Sequence, residues 1–143
     1  MIVADLDHFK SINDTFGHAA GDEVIATFAD ILRNIAEQRS LIGRVGGEEF
    51  AILIPGANLM TGRLYAETAR SAMASQQKPF IGPDHGMTAS FGVAALRPGD
   101  SLSDLLRRAD VALYQAKSEG RNRVSMFLDE VTPMTVQNRV LRL

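Results

Sequence analysis

Two groups of carboxylates in this chain are placed where they could do chemistry. Gly46-Gly47-Glu48-Glu49 sets two glutamates directly after two glycines and just before the apolar run Phe50 to Ile54, while Asp5 and Asp7 end the apolar opening Ile2-Val3-Ala4. Adjacent carboxylates repel one another unless a cation or open water relieves them. Hard divalent ions take oxygens from a few carboxylates together with substrate phosphates, and in open α/β sheets ligands gather at strand ends. If the first strand lies beside the hairpin, Asp5 and Glu48 could hold Mg²⁺ between them, and the missing side chains of Gly46 and Gly47 would let a phosphate or metal reach the backbone. Plainer readings stand beside these. The glycines can simply supply the positive φ of a tight turn with the glutamates as its solvated tip, and an aspartate, Asp7 rather than Asp5, can cap the following helix.

The composition narrows the chemistry further. A formal charge of −2 argues against a general grip on nucleic acid, which needs a basic face to displace counterions. The chain has no cysteine, and its three histidines, His8, His18 and His85, lack the close spacing of a zinc site, so a metal would be bound by oxygen. No apolar run approaches the ~20 residues of a membrane span, and the N-terminus lacks the basic start and long apolar region of a signal peptide. The expectation is a cytoplasmic protein with no membrane segment and no nucleic-acid partner. With 45% hydrophobic and 22% charged residues over 143 positions, one ordinary globular domain is expected.

Strands that end together must position these groups. The segment 2–7 reads as a buried strand turning acidic at its end, and Phe9, Ile12 and Phe16 share a helical face that Gly17 stops. A second helix is predicted from Asp22 to about Gln38, with Val24, Ile25, Phe28, Ile31, Leu32 and Ile35 inward. Strands at 41–45 and 49–54 flank the turn, and Pro55-Gly56 closes the second. A helix follows from Leu59 to about Ser75, then a loop or weak ribbon to Gly86 and a strand within 87–96. Ser101 and Asp104 resemble a capping box opening a last helix, with Leu102, Leu105, Leu106, Ala109, Leu113 and Ala116 on one face, that runs to Gly120. Residues 123–127 form the final strand. The order βααββαβαβ predicts an α/β sandwich on a central mixed sheet, with a domain at 1–127 and a C-terminal tail at 128–143.

Three segments in order, "DLDHFKSINDTFGHAAGDEV", "RVGGEEF" and "ALYQAKSEGRNRV", resemble the signatures of the GGDEF family, the diguanylate cyclases, in its GGEEF variant. The resemblance implies a fold like that of nucleotide cyclases and the polymerase palm, and condensation of two GTP into cyclic di-GMP with release of pyrophosphate at the interface of a transient two-fold homodimer. It implies Asp5, Glu48 and the Leu6 backbone carbonyl as ligands of Mg²⁺, with Mn²⁺ an alternative, and Glu49 as the side chain that assists deprotonation. It implies Asn13 and Asp22 as readers of guanine, and Lys10, Lys117, Arg121 and the backbone around His8, Phe9 and Lys10 as phosphate partners beside Gly46 and Gly47. An ionised Asp22 can accept from both donors on guanine's Watson–Crick edge, which adenine lacks. His18 reads as structural.

Two departures from the family accompany the resemblance. Glu37 and Ser40 stand where many relatives carry the Arg-x-x-Asp pair that binds product, so product binding is expected only at the active site. The helix and segment that precede the first strand in relatives are missing, which suggests a shortened chain or a fragment with a regulatory region elsewhere. The rival reading is a module that holds GTP or cyclic di-GMP without turnover. An adenylate-type cyclase is disfavoured by the guanine-reading pair.

Overall fold

Short runs buried on both faces in the central strands, with the 3.6-residue period of the helices, produce a sheet covered on two sides. A computed structural model describes residues 1–82 and 84–129, so the expected tail lies outside the described residues beyond Asp129. The elements are β1 (Ile2–Leu6), α1 (Phe9–Phe16), α2 (His18–Ile35), β2 (Leu41–Arg44), β3 (Glu49–Leu53), α3 (Leu59–Ala74), β4 (Ala89–Val93), α4 (Leu102–Ser118) and β5 (Val124–Met126). The sheet order is β2-β3-β1-β4-β5, antiparallel except for the parallel β4 and β5 pair. This is the expected mixed sheet, with β1 beside β3.

Successive β1 residues face opposite ways. Ile2, Ala4 and Leu6 join Phe28, Leu32, Ala66, Ala69 and Met73 in the larger core, so α2 and α3 cover that face. Val3 packs with Leu105, Ala109 and Leu113 under α4 on the other. Phe28 sits edge-on to Phe50 and Phe91, with ring centroids 5.2 and 6.0 Å apart, so one α2 side chain ties β3 to β4. Gly92 brings α4 against the sheet: a side chain there would overlap the backbone of Ala109 and Leu113.

Helix ends follow local chemistry. Gly17, at φ 90°, separates α1 from α2, which starts at His18 rather than Asp22, since a single glycine in that conformation suffices to redirect the chain. Asn58 accepts from the Thr61 N–H at 2.8 Å at the start of α3. The capping box at α4 forms as read, with Ser101 Oγ accepting from the Asp104 N–H and the Asp104 carboxylate accepting from the Ser101 N–H. The expected apolar face of α4 is only partly right. Leu102 and Leu106 are exposed, whereas Arg108 and Ala112 are buried, because the 95–100 segment packs on that flank and takes the Arg108 guanidinium onto the Ala95 carbonyl and the Asp100 carboxylate.

Candidate active site

The carboxylates converge at one end of the sheet. Asp5 lies directly opposite Glu49 across the antiparallel β1 and β3 pair, and residues so paired project from the same face. That face is the one beneath α4, and there Lys117, in the last turn of α4, places its Nζ 3.0 Å from the Asp5 Oδ2. One residue further along, the Leu6 N–H donates to the Glu48 carbonyl at 3.2 Å, so Glu48 abuts the strand end that bears Asp5. The Asp5 side chain is 13% exposed, and Glu48 and Glu49 are half-buried.

Burial and mutual repulsion act on these groups together. Burial pushes the Asp5 carboxyl above its usual range, the Lys117 hydrogen bond and charge pull it back, and Glu48 and Asp7 push it up again. Glu49 is likewise raised, first by burial, then by Asp110 and Asp5, with Lys117 opposing. Asp110 was not anticipated from the sequence, although it lies two helical turns before Lys117 and so on the same side of α4. Among the described residues no three histidine, aspartate or glutamate side chains form a closed cage for a metal. Such a donor set suits a hard dication that completes its shell with substrate phosphate and water.

The hairpin tip corrects one expectation. Neither Gly46 nor Gly47 adopts a left-handed φ, so the turn does not need glycine for that reason. Arg44 sets its shape instead, its Nε donating to the carbonyls of Gly46 and Gly47 at 3.2 and 3.0 Å and its Nη2 to Gly47 at 2.7 Å. A side chain on Gly47 would meet nothing within 4 Å. The glycines leave the backbone beside Glu48 open to an approaching group.

Asp7 is the second correction, because it caps no helix. The N-cap of α1 is His8, left-handed at φ 53° with no side-chain bond, and Asp7 instead turns back under the sheet. Its carboxylate accepts from Thr88 Oγ1 and Ser90 Oγ at 2.7 Å each and from the Asn122 N–H at 3.0 Å.

The remaining expected residues lie on α1, on α2 and beyond the end of α4. The first-turn N–H groups of α1, around Phe9 and Lys10, have no acceptor within the helix, and Lys10 is exposed. Asn13 lies one turn beyond Lys10, on the same side of the helix. Its Oδ1 is a buried acceptor with no hydrogen-bond partner among the described residues, packed with Phe9 against Gly21, where any side chain would collide with it. Asp22 follows, exposed, at the lip of an open groove of about 400 Å³ between α2 and β2 that Ile25, Arg44 and Phe50 also line. His18 is exposed at the start of α2. Arg121 is exposed at φ 64° beyond the end of α4, one residue before the Asn122 that binds Asp7.

The sequence profile described as "Diguanylate cyclase, GGDEF domain" matches residues 1–123. The chain is 42% identical over 126 residues to the diguanylate cyclase DgcP of Pseudomonas aeruginosa, which covers 88% of this chain and 19% of the relative. It is also 42% identical over 127 residues to the diguanylate cyclase VdcA of Vibrio cholerae, covering 87% of this chain and 38% of that protein. The chain thus spans well under half the length of these relatives. Among solved structures, the active GGEEF domain of a diguanylate cyclase from Vibrio cholerae superposes with a TM-score of 0.83 at 39% identity, over 89% of this chain and 81% of that one. The GGDEF domain of DgcB from Caulobacter crescentus in complex with c-di-GMP gives 0.82 at 37% identity, over 87% and 75%.

Proposed function

The chain belongs to the GGDEF-domain family of diguanylate cyclases, and from that membership we propose that it joins two GTP molecules into cyclic di-GMP, releasing pyrophosphate from each. The observation that carries the proposal is the meeting of Asp5, Glu48, Glu49 and Lys117 at one sheet end, where burial holds Asp5 and Glu49 above their usual pKa range. A dication is the natural relief for such a cluster.

Asp5, Glu48 and the Leu6 carbonyl would hold Mg²⁺ or Mn²⁺, which when bound offsets triphosphate charge and lowers the pKa of the attacking 3′-hydroxyl. Glu49, on the same face as Asp5 and with its proton affinity raised, is suited to accept the hydroxyl proton. Lys10, Lys117, Arg121 and the first-turn N–H groups of α1 would bind phosphate oxygens. The Asp22 carboxylate suits the paired N–H donors of guanine, and the Asn13 amide would join it by turning its Oδ1, packed against Gly21 in this structure, toward the base.

Each domain would hold one nucleotide and the product is a two-fold ring, so two copies would face one another for turnover, each presenting the same surface. Glu37 and Ser40 offer no cation for the product's phosphates: Glu37 is an exposed carboxylate, and Ser40 gives its N–H to the Glu37 carbonyl. Product inhibition should therefore arise at the active site and be relieved by GTP, whereas inhibition that GTP does not relieve would place the product elsewhere. The direct test incubates the chain with GTP and Mg²⁺ at concentrations that force self-association and separates the nucleotides by chromatography. A new dinucleotide, absent with Glu48→Gln, is expected. Binding of GTP with no product would leave only a nucleotide-holding module.

A further inference from the structure

Asp7 has no task in the reaction as described, yet it and Arg108 are the charged residues buried among the described ones, Asp7 at 4% exposure. Arg108 is met by the Asp100 carboxylate. Asp7 is met by neutral donors only: the Thr88 hydroxyl just before β4, the Ser90 hydroxyl in β4 and one backbone N–H from the loop after α4. A carboxyl group is costly to bury without partners, and three directed hydrogen bonds are what make it tolerable there.

What those bonds join is informative. Asp7 follows the strand end that carries Asp5 and Leu6, and its own N–H donates to the Thr88 carbonyl at 2.8 Å. The loop it grips runs through Gly120, Arg121 and Asn122 at φ 123°, 64° and 46°, a left-handed run that residues with side chains rarely adopt. Such backbone persists only where its surroundings fix it. Here the fixings are Asp7 on the Asn122 N–H, Arg70 Nη1 on Asn122 Oδ1 at 3.1 Å, and the Ala116 carbonyl on the Arg121 N–H at 3.0 Å.

We propose that Asp7 is a positioning residue, which locks the loop bearing Arg121 against the strand end bearing Asp5 so that the phosphate-binding cation and the metal-binding carboxylates keep a set separation. The inference rests on the reading of Arg121 as a phosphate partner, and it adds a link from the buried side of the sheet to the triphosphate.

The test is a double-mutant cycle read by binding of GTP and of guanosine, each with Mg²⁺. Asp7→Asn cannot accept all three donors and should weaken GTP binding roughly tenfold, about the worth of one hydrogen bond to a charged group, without changing guanosine binding. Arg121→Ala should do the same. The double variant should be no weaker than either single one, because each removes the same placed cation. Losses that multiply, or a loss shared equally by guanosine, would overturn the proposal, since a general loosening of the fold produces those results. If Asp7→Asn does not fold, Thr88→Val takes its place in the same cycle, with the same expectation and the same refuting results, because it withdraws the hydroxyl that holds the same Asp7 oxygen to which the Asn122 N–H donates. If the unaltered chain binds GTP no better than guanosine, the phosphate-binding reading and this proposal fall together. Multiplying losses in a chain that makes product sink this proposal alone.

Discussion

At Asp5, burial and charge oppose one another. Burial favours the protonated acid while Lys117 favours the anion, and a dication would settle the contest for the anion. Asp5→Asn and Glu48→Gln should each lower Mg²⁺-dependent product formation by about a hundredfold or more, as removal of a group that stabilises developing charge does, measured by chromatography of the nucleotides. The raised pKa values of Asp5 and Glu49 carry a sign. Stability from these two groups is fully present below the unfolded carboxylate range and is lost as pH rises through their folded values. A dication needs the ionised forms and works in the opposite sense, so the rise in melting temperature caused by Mg²⁺ should be larger at neutral pH than near the ordinary carboxylate range. An equal rise at both would show that the metal binds elsewhere. Residue types and motif order pointed to Asp5, Glu48 and Glu49 as neighbours, and they do meet at one sheet end. The partners of Asp7 did not show, because its donors lie 81, 83 and 115 positions away, beyond any local pattern.

Elements carry a different kind of information. Helices were legible because apolar residues recur on one side and strands because they are short apolar runs, and β1 to β5 and α1 to α4 form in the order read. The margins of the α4 face were not legible, since which flank is covered depends on a connecting segment that periodicity does not describe. At Gly92 the helix touches sheet backbone directly, so Gly92→Ala should destabilise the fold by about 1–3 kcal/mol and Phe28→Ala by about 3–5 kcal/mol, both seen in denaturant melts. The hydrogen bond from Arg108, with help from the Arg97 N–H, holds the Asp100 carboxyl below its usual range. Its stabilising contribution is present above the unfolded aspartate range and is lost as pH falls through the lowered value. Asp100→Asn should therefore flatten the acid limb of the stability profile, and an unchanged limb would assign that limb to other carboxylates.

At the scale of the molecule, the proposed turnover by two facing copies would make concentration a reactant. Product formation per chain should rise with protein concentration until self-association saturates, whereas a constant specific rate across dilution would mean that one copy suffices. No helix among the described residues is long and apolar enough to cross a membrane. The central place of β1 bears on how the chain is made. The strand that carries Asp5 precedes the other four described strands, yet its neighbours in the sheet come much later, with the bonds from Met1 to Ala94 closing a span of 93 positions. Nascent β1, largely apolar, must wait through two helices and a strand for its first partner, β3, and through a further helix for its second, β4. Long-range pairing of this kind slows folding and leaves sticky segments exposed meanwhile, so the strand that bears Asp5 is also the stretch that most needs shelter during translation.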